Sequence, residues 1–214
     1  MTRNDRKKSE VHEENVSRSL VLAALFLSFS AAGICQDAPK EATPKEATPK
    51  EAMHEISEVD GRYVQTVPLS RLIMAIPKGG LVMQPNPAGG SADSPRYFYF
   101  ENKAQALLIS GWFESDEGYP GIKQFWADET AEWKRRGLRE PKDVTFAQLG
   151  NWNAILYDED VPIARNSHIR AHWVQAGTWI DIHLSLTADL PQKEIRLKLQ
   201  DVLKAISVTE KPSR

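Results

Sequence analysis

His168, Arg170 and His172 alternate with Ile169, Ala171 and Trp173, and a few residues later Asp181, His183 and Ser185 alternate with Ile180, Ile182, Leu184 and Leu186. Such alternation belongs to strands with two unlike faces, and Ala176-Gly177 between the runs reads as a hairpin turn. A two-residue turn sets Trp173 opposite Ile180, Ala171 opposite Ile182, His172 opposite Asp181 and Arg170 opposite His183. One face of the hairpin is then apolar. The other gathers His168, Arg170, His172, Asp181, His183 and Ser185, and it is the candidate binding surface of the chain.

Three kinds of chemistry fit these residue types. Imidazole and carboxylate suit zinc or copper, so His172, Asp181 and His183, with His168 as a fourth ligand, make a candidate metal set. Arg170 beside His183 argues against it, because a fixed positive charge stands where the ion would sit. Ser185, His183 and Asp181 include the members of a nucleophilic triad, but alternate residues of one strand lie about 7 Å apart. A mid-strand serine also has no adjoining turn to supply oxyanion donors. The third reading is a polar sheet face, with His172 and Asp181 as a cross-strand pair and Arg170 in solvent. Recognition surface or solvated face is the expectation, with no catalytic residue and no cofactor.

The elements around this hairpin read as follows. Arg71 to Ile76 is a short apolar strand closed by Pro77, and Lys78 to Pro95, with its many glycines and prolines, is a long loop. Arg96 to Glu101 and Gln105 to Glu114 form a hairpin about Asn102-Lys103, rich in aromatic and branched residues. Pro120 opens a helix with Ile122, Phe125, Trp126 and Trp133 on one stripe, ending at Gly137 after Lys134-Arg135-Arg136. That basic triplet suits a helix C-terminus and lacks the aromatic platform of a nucleic-acid surface. Asp143 to Leu149 and Trp152 to Tyr157 pair about Gly150-Asn151. Pro191 starts a closing helix with Ile195, Leu199, Val202 and Ile206 on one face. Successive hairpins imply an antiparallel sheet, and the two amphipathic helices must cover it, an α/β (α+β) arrangement. Trp152 and Trp179, each beside a hairpin turn, are expected to be partly exposed. Asp158, Glu159 and Asp160 read as a solvated turn; they lack the spaced oxygens of a calcium loop.

The rest of the chain speaks of address. The apolar run Leu20 to Ala32 has the length of a signal-peptide core, and Gly33 and Cys35 supply small residues for cleavage before Gln36. Residues 1–35 are therefore expected to be a signal peptide, with an inner-membrane anchor over 20–35 as the alternative. The unit Lys-Glu-Ala-Thr-Pro then repeats, and its prolines forbid a long helix, so 36–54 is expected to be a spacer. Residues 55–214 form one domain. Cys35 is the single cysteine and the formal net charge is -2 among 214 residues. Disulfides within the chain and thiolate metal sites in the domain are thereby excluded, and no basic field draws the protein to nucleic acid.

The strand ending in Pro77, the long loop after it, the aromatic strand Tyr97 to Phe100, the helix ending at Gly137, the strand Trp152 to Tyr157 and the closing helix to Ile206 together resemble the PsbP-like fold. Photosystem II extrinsic subunits and exported bacterial proteins of the DcrB type share that fold. The resemblance implies an α/β/α sandwich and a non-enzymatic binding or assembly role, and it carries over no functional residue. The expectation is an exported, periplasmic, monomeric module whose partner is an envelope protein or a small ligand, touching membrane only through an uncleaved N-terminal segment. The alternative is a metal-binding protein or metal-dependent enzyme using His168, His172, Asp181 and His183.

Overall fold

The structure, a computed structural model, describes residues 56–68, 70–85, 97–162 and 164–211, all within the unit Gln36–Arg214. The expected signal segment, the repeat spacer and the second half of the 78–95 loop lie outside the described residues.

Two antiparallel sheets and two helices make an α+β architecture. The larger sheet contains β4 (Val82–Met83), β5 (Tyr97–Asn102), β6 (Leu107–Ser115), β7 (Lys142–Leu149), β8 (Trp152–Val161), β9 (Ala164–Gln175) and β10 (Thr178–Ala188), in the order β4-β5-β6-β10-β9-β8-β7. The smaller sheet contains β1 (Ile56–Val59), β2 (Arg62–Thr66), β3 (Leu72–Pro77) and β11 (Ser207–Glu210), in the order β1-β2-β3-β11. The expected single sheet is thus two. The 78–95 loop already holds β4, which pairs with β5, and the first hairpin turns through Lys103–Ala106 rather than two residues.

The central hairpin has the register its alternation demands. Trp173 pairs with Ile180, Ala171 with Ile182, His172 with Asp181 and Arg170 with His183. Its turn places Ala176 at φ 52° and Gly177 at φ 74°. Both central residues of a type I′ turn need positive φ, which suits the right-handed twist of the flanking strands. Alanine is strained there, whereas asparagine enters the left-handed region more readily. Ala176→Asn is therefore expected to stabilise the fold by about 0.5–1 kcal/mol, visible as a higher urea midpoint at unchanged slope.

Helix α1 (Ile122–Arg135) follows Gly121, the N-cap residue, at φ 85°. It stops in a Schellman motif: Leu138 N–H donates to the Trp133 carbonyl and Gly137 N–H to that of Lys134, with Gly137 at φ 67°. Helix α2 (Gln192–Ala205) packs on β9 and β10. Its buried Ile195, Leu199 and Leu203 join one apolar cluster with Ile169, Ala171, Ile180, Ile182 and Leu184 of the central hairpin and Leu72, Met74 and Ile76 of β3. Leu203 takes a core place not expected of it, and Ile206 enters the core just after the helix ends. Each such side chain contributes about 1.5–3 kcal/mol by leaving water. This apolar face anchors the polar one behind it.

Candidate functional site

Because side chains alternate along every strand, the face opposite the core is assembled row by row. One row reads Asn153, His172, Asp181, Trp112; the next Ile155, Arg170, His183, Ser110; the third Tyr157, His168, Ser185, Leu108. All five candidate residues stand together here. They are covered, and this corrects the expectation of a solvated face with Arg170 in water. His172 is 0% exposed, His168 and Asp181 6%, and the Arg170 side chain 13%.

The cover consists of α1 and the residues leading into it. Phe125 meets the His172 ring edge-on at 4.5 Å between centroids, and Trp126 and Trp133 pack on Tyr157 at 4.9 and 5.7 Å. Arg170 lies over the Phe125 ring at 5.1 Å, a cation–π contact. Tyr119, ahead of the helix, brings its hydroxyl to 3.2 Å from His172 Nδ1 and packs against Trp179. Aromatic rings are the natural lid for imidazole, phenol and guanidinium groups, which offer flat faces and edge hydrogens rather than aliphatic bulk.

Within the cluster, partners are taken diagonally. Arg170 stands directly opposite His183, where two potential cations would face each other. Its guanidinium turns instead to the next row and grips Asp181 with both arms, Nε to Oδ1 at 2.6 Å and Nη2 to Oδ2 at 2.5 Å. His183 turns the other way, its Nε2 lying 3.0 Å from His168 Nδ1 and 3.2 Å from the Tyr157 hydroxyl. The His168 and His183 rings are 10° from parallel with centroids 5.2 Å apart. Two ring radii and one N–H···N bond add to about that separation, so the rings lie edge to edge with a proton between the facing nitrogens.

Electrostatics follow from burial. Burial alone would raise the Asp181 carboxyl, but the adjoining Arg170 charge overrides it and holds the group at about 2. Burial pushes His168 down to about 4, against a small upward pull from Asp158. Burial, with His168 and Arg170 beside it, lowers His183 well below the ordinary histidine value. Burial lifts the Tyr157 phenol and the Glu159 carboxyl above their ordinary ranges.

The candidate metal ligands share the face that the alternation predicts, but their side chains turn to other partners. Among the described residues no three His, Cys, Asp or Glu side chains are grouped so as to hold an ion. Asp181 gives both oxygens to Arg170, with Nε2 of His172, its expected cross-strand partner, 3.5 Å from Oδ1, and His183 points at His168. Ser185 donates to Asn166 Oδ1 at 3.1 Å rather than approaching His183, so no triad forms.

Outside the cluster, two expectations are corrected. Trp152 is 2% exposed, locked against Trp173, while Trp179 is partly exposed as expected. The run Asp158 to Asp160 is strand, not turn, and its alternation sends Asp158 and Glu159 to opposite faces, which prevents shared calcium binding. Asp158, buried on the α2 side, accepts from Ser167 Oγ at 2.8 Å and from Arg196 Nε and Nη2 at 3.1 and 2.8 Å. That bidentate pair pins α2 to the sheet. The residues that sequence reasoning left out of the site are Tyr157, Glu159, Tyr119 and Phe125. Tyr157 could have been found by extending the alternation to β8, where it shares a row with His168.

No family model matches this chain, and no curated protein matches it. Among solved structures, a protein from Bacteroides thetaiotaomicron VPI-5482 aligns at 11% identity over 67% of this chain and 46% of that one, with a TM-score of 0.39. The chain thus spans less than half of that protein's length, and a likeness at this level transfers neither fold nor function.

Proposed function

We propose that this chain is an exported, non-catalytic binding or assembly module of the cell envelope, with the helix-covered sheet of the PsbP-like α/β/α sandwich. The observation that carries this reading is the closure of the histidine face. Its cation and anion neutralise each other under α1, so the residues best equipped for chemistry form an internal network instead of meeting a substrate. The apolar run Leu20 to Ala32 and the proline-bearing spacer support export and tethering. No described helix is long and apolar enough to cross a membrane.

The contact surface of this reading is the margin of β7, the edge strand of the larger sheet, and its occupant is an envelope protein. Val144 and Phe146 are 37% and 42% exposed there. Grooves of about 500 and 440 Å³ flank the strand, one floored by Leu149 and Leu156 beneath α2, the other by Trp126 and Trp133 of α1. Unpaired strand edges between such grooves accept an added strand with alternate side chains on either side.

A photo-crosslinking residue at Phe146, placed in the full chain in its native envelope, is expected to yield one adduct of defined size. The same group at Lys103, on the far hairpin loop, is expected to yield none. Equal labelling from both positions would remove β7 as the contact surface. Stoichiometric zinc or copper binding that is lost in His172→Ala would overturn the non-catalytic reading itself.

A further inference from the structure

The histidine network lies on the sheet face that α1 covers, with Gly121 as the N-cap residue ahead of that helix and Gly137 in the turn after it. The His168–His183 bond requires one nitrogen to be a donor and the other a bare acceptor. An additional proton can go to the facing nitrogens, to His168 Nε2 or to His183 Nδ1, and at the first two the structure offers it no hydrogen bond. At the facing nitrogens it sets two N–H groups against each other at a 3.0 Å separation. At His168 Nε2, a buried atom with no hydrogen-bond partner, it makes an imidazolium whose nearest carboxylate, Glu159 Oε2, is 3.8 Å away, beyond hydrogen-bond reach.

The surroundings offer that charge little relief. From β9, Arg170 and His172 face the pair, and from β10 Asp181, whose charge is spent on Arg170. From β8 come Tyr157 and Glu159, with Asp158 acting from the other side of the sheet. Arg139 acts on Glu159, and Glu129 of α1 acts on Arg170 and Tyr157. Tyr97, Tyr99 and Glu101 of β5 and Glu114 of β6 lie farther along this face. Glu159 stands at ion-pair distance, but burial raises its carboxyl and it makes no hydrogen bond to the ring, and a buried charge so weakly compensated is expelled or hydrated rather than tolerated. The element that yields is α1, which rests on this face through the ring contacts of Phe125, Trp126 and Trp133. The hairpin strands beneath are held in place by full ladders on both sides.

We propose that the His168–His183 pair is an acid-sensitive latch: proton uptake by the pair releases α1 from the sheet and exposes the aromatic surface between them, while the sheets stay folded. The sign agrees with the lowered titration of both rings. The folded state keeps them neutral, so their contribution is complete above the unfolded value near 6.5 and is lost as pH falls from there toward 4. One coupled proton changes the docking equilibrium by up to about tenfold per pH unit. The proposal concerns the mobility of α1 and does not depend on the β7 contact surface.

Hydrogen exchange on the full chain between pH 7 and 4.5 tests it. Protection factors of the α1 amides are expected to fall by up to about tenfold per pH unit below pH 6, with amides of β8, β9 and β10 keeping theirs. In the double variant His168→Gln/His183→Gln, which keeps neither imidazole of the pair, α1 is expected to stay protected at pH 5. Simultaneous loss of helix and sheet protection, or an acid step that persists in the double variant, would overturn the latch. Should that variant fail to fold, ring-nitrogen NMR of the wild-type histidines decides. Proton uptake coinciding with α1 opening supports the latch, and uptake without opening overturns it.

Discussion

Asp181→Ala is expected to lower the free energy of unfolding by about 3–5 kcal/mol, because it takes the bidentate carboxylate from a guanidinium buried beneath α1. The same residue's removal with its partner, as Arg170→Met with Asp181→Leu, is expected to cost far less. Both desolvation penalties vanish together and the cavity is filled with apolar bulk. A coupling energy of several kcal/mol in this double-mutant cycle, read from urea denaturation, is the check. Asp181 titrates below its unfolded value, so its contribution is present above about pH 4 and disappears only as the pH falls through about 2. Near-additive single and double effects would show that the pair contributes less than its geometry implies.

The second large effect is expected at Gly111, whose missing side chain makes room for a neighbour. A Cβ built there would lie 2.2 Å from Phe98 Cζ and 2.6 Å from the Asp181 backbone oxygen. Phe98 is 2% exposed and packs against Phe100 and Phe113, so its ring has nowhere to retreat, and the carbonyl belongs to the hydrogen-bonded ladder between β6 and β10. Gly111→Ala is expected to destabilise by about 3 kcal/mol or more. Gly118→Ala, where nothing lies within 4 Å, is the matched control and is expected to stay within about 0.5 kcal/mol of wild type. Thermal unfolding of the two variants side by side separates the steric effect from the general effect of removing a glycine.

The central hairpin was legible residue by residue because two local signals agreed. Its period-two alternation set the faces, and Ala176-Gly177 set the register. The same logic found the Gly150-Asn151 hairpin and both helices. What escaped was the fate of the polar face. A strand of alternating histidine and arginine looks solvated until something is known to lie on it, and that knowledge is tertiary. The clue was present in α1, whose stripe carries Phe125, Trp126 and Trp133, since the apolar face already had α2 to cover it. Diagonal pairing of Arg170 with Asp181 was also out of reach, because register names the opposite neighbour and says nothing of where long side chains turn. The smaller sheet was missed for a different reason. β1 and β11 are four residues each and mostly exposed, too short for periodicity to register.

That smaller sheet bears on how the chain acquires its structure. β3 sits between β2, a near neighbour in sequence, and β11, at the far end of the described chain, with Met74 opposite Val208. Everything from β4 to α2 is threaded between those two partners, and the larger sheet is built mostly from hairpins that close locally. The order of assembly is thereby biased: hairpins of the larger sheet close early, while β3 waits with one edge open until the C-terminal strand reaches it. During that wait Leu72, Met74 and Ile76 form an apolar strand with an unpaired edge, the segment most exposed to wrong association before the fold is complete.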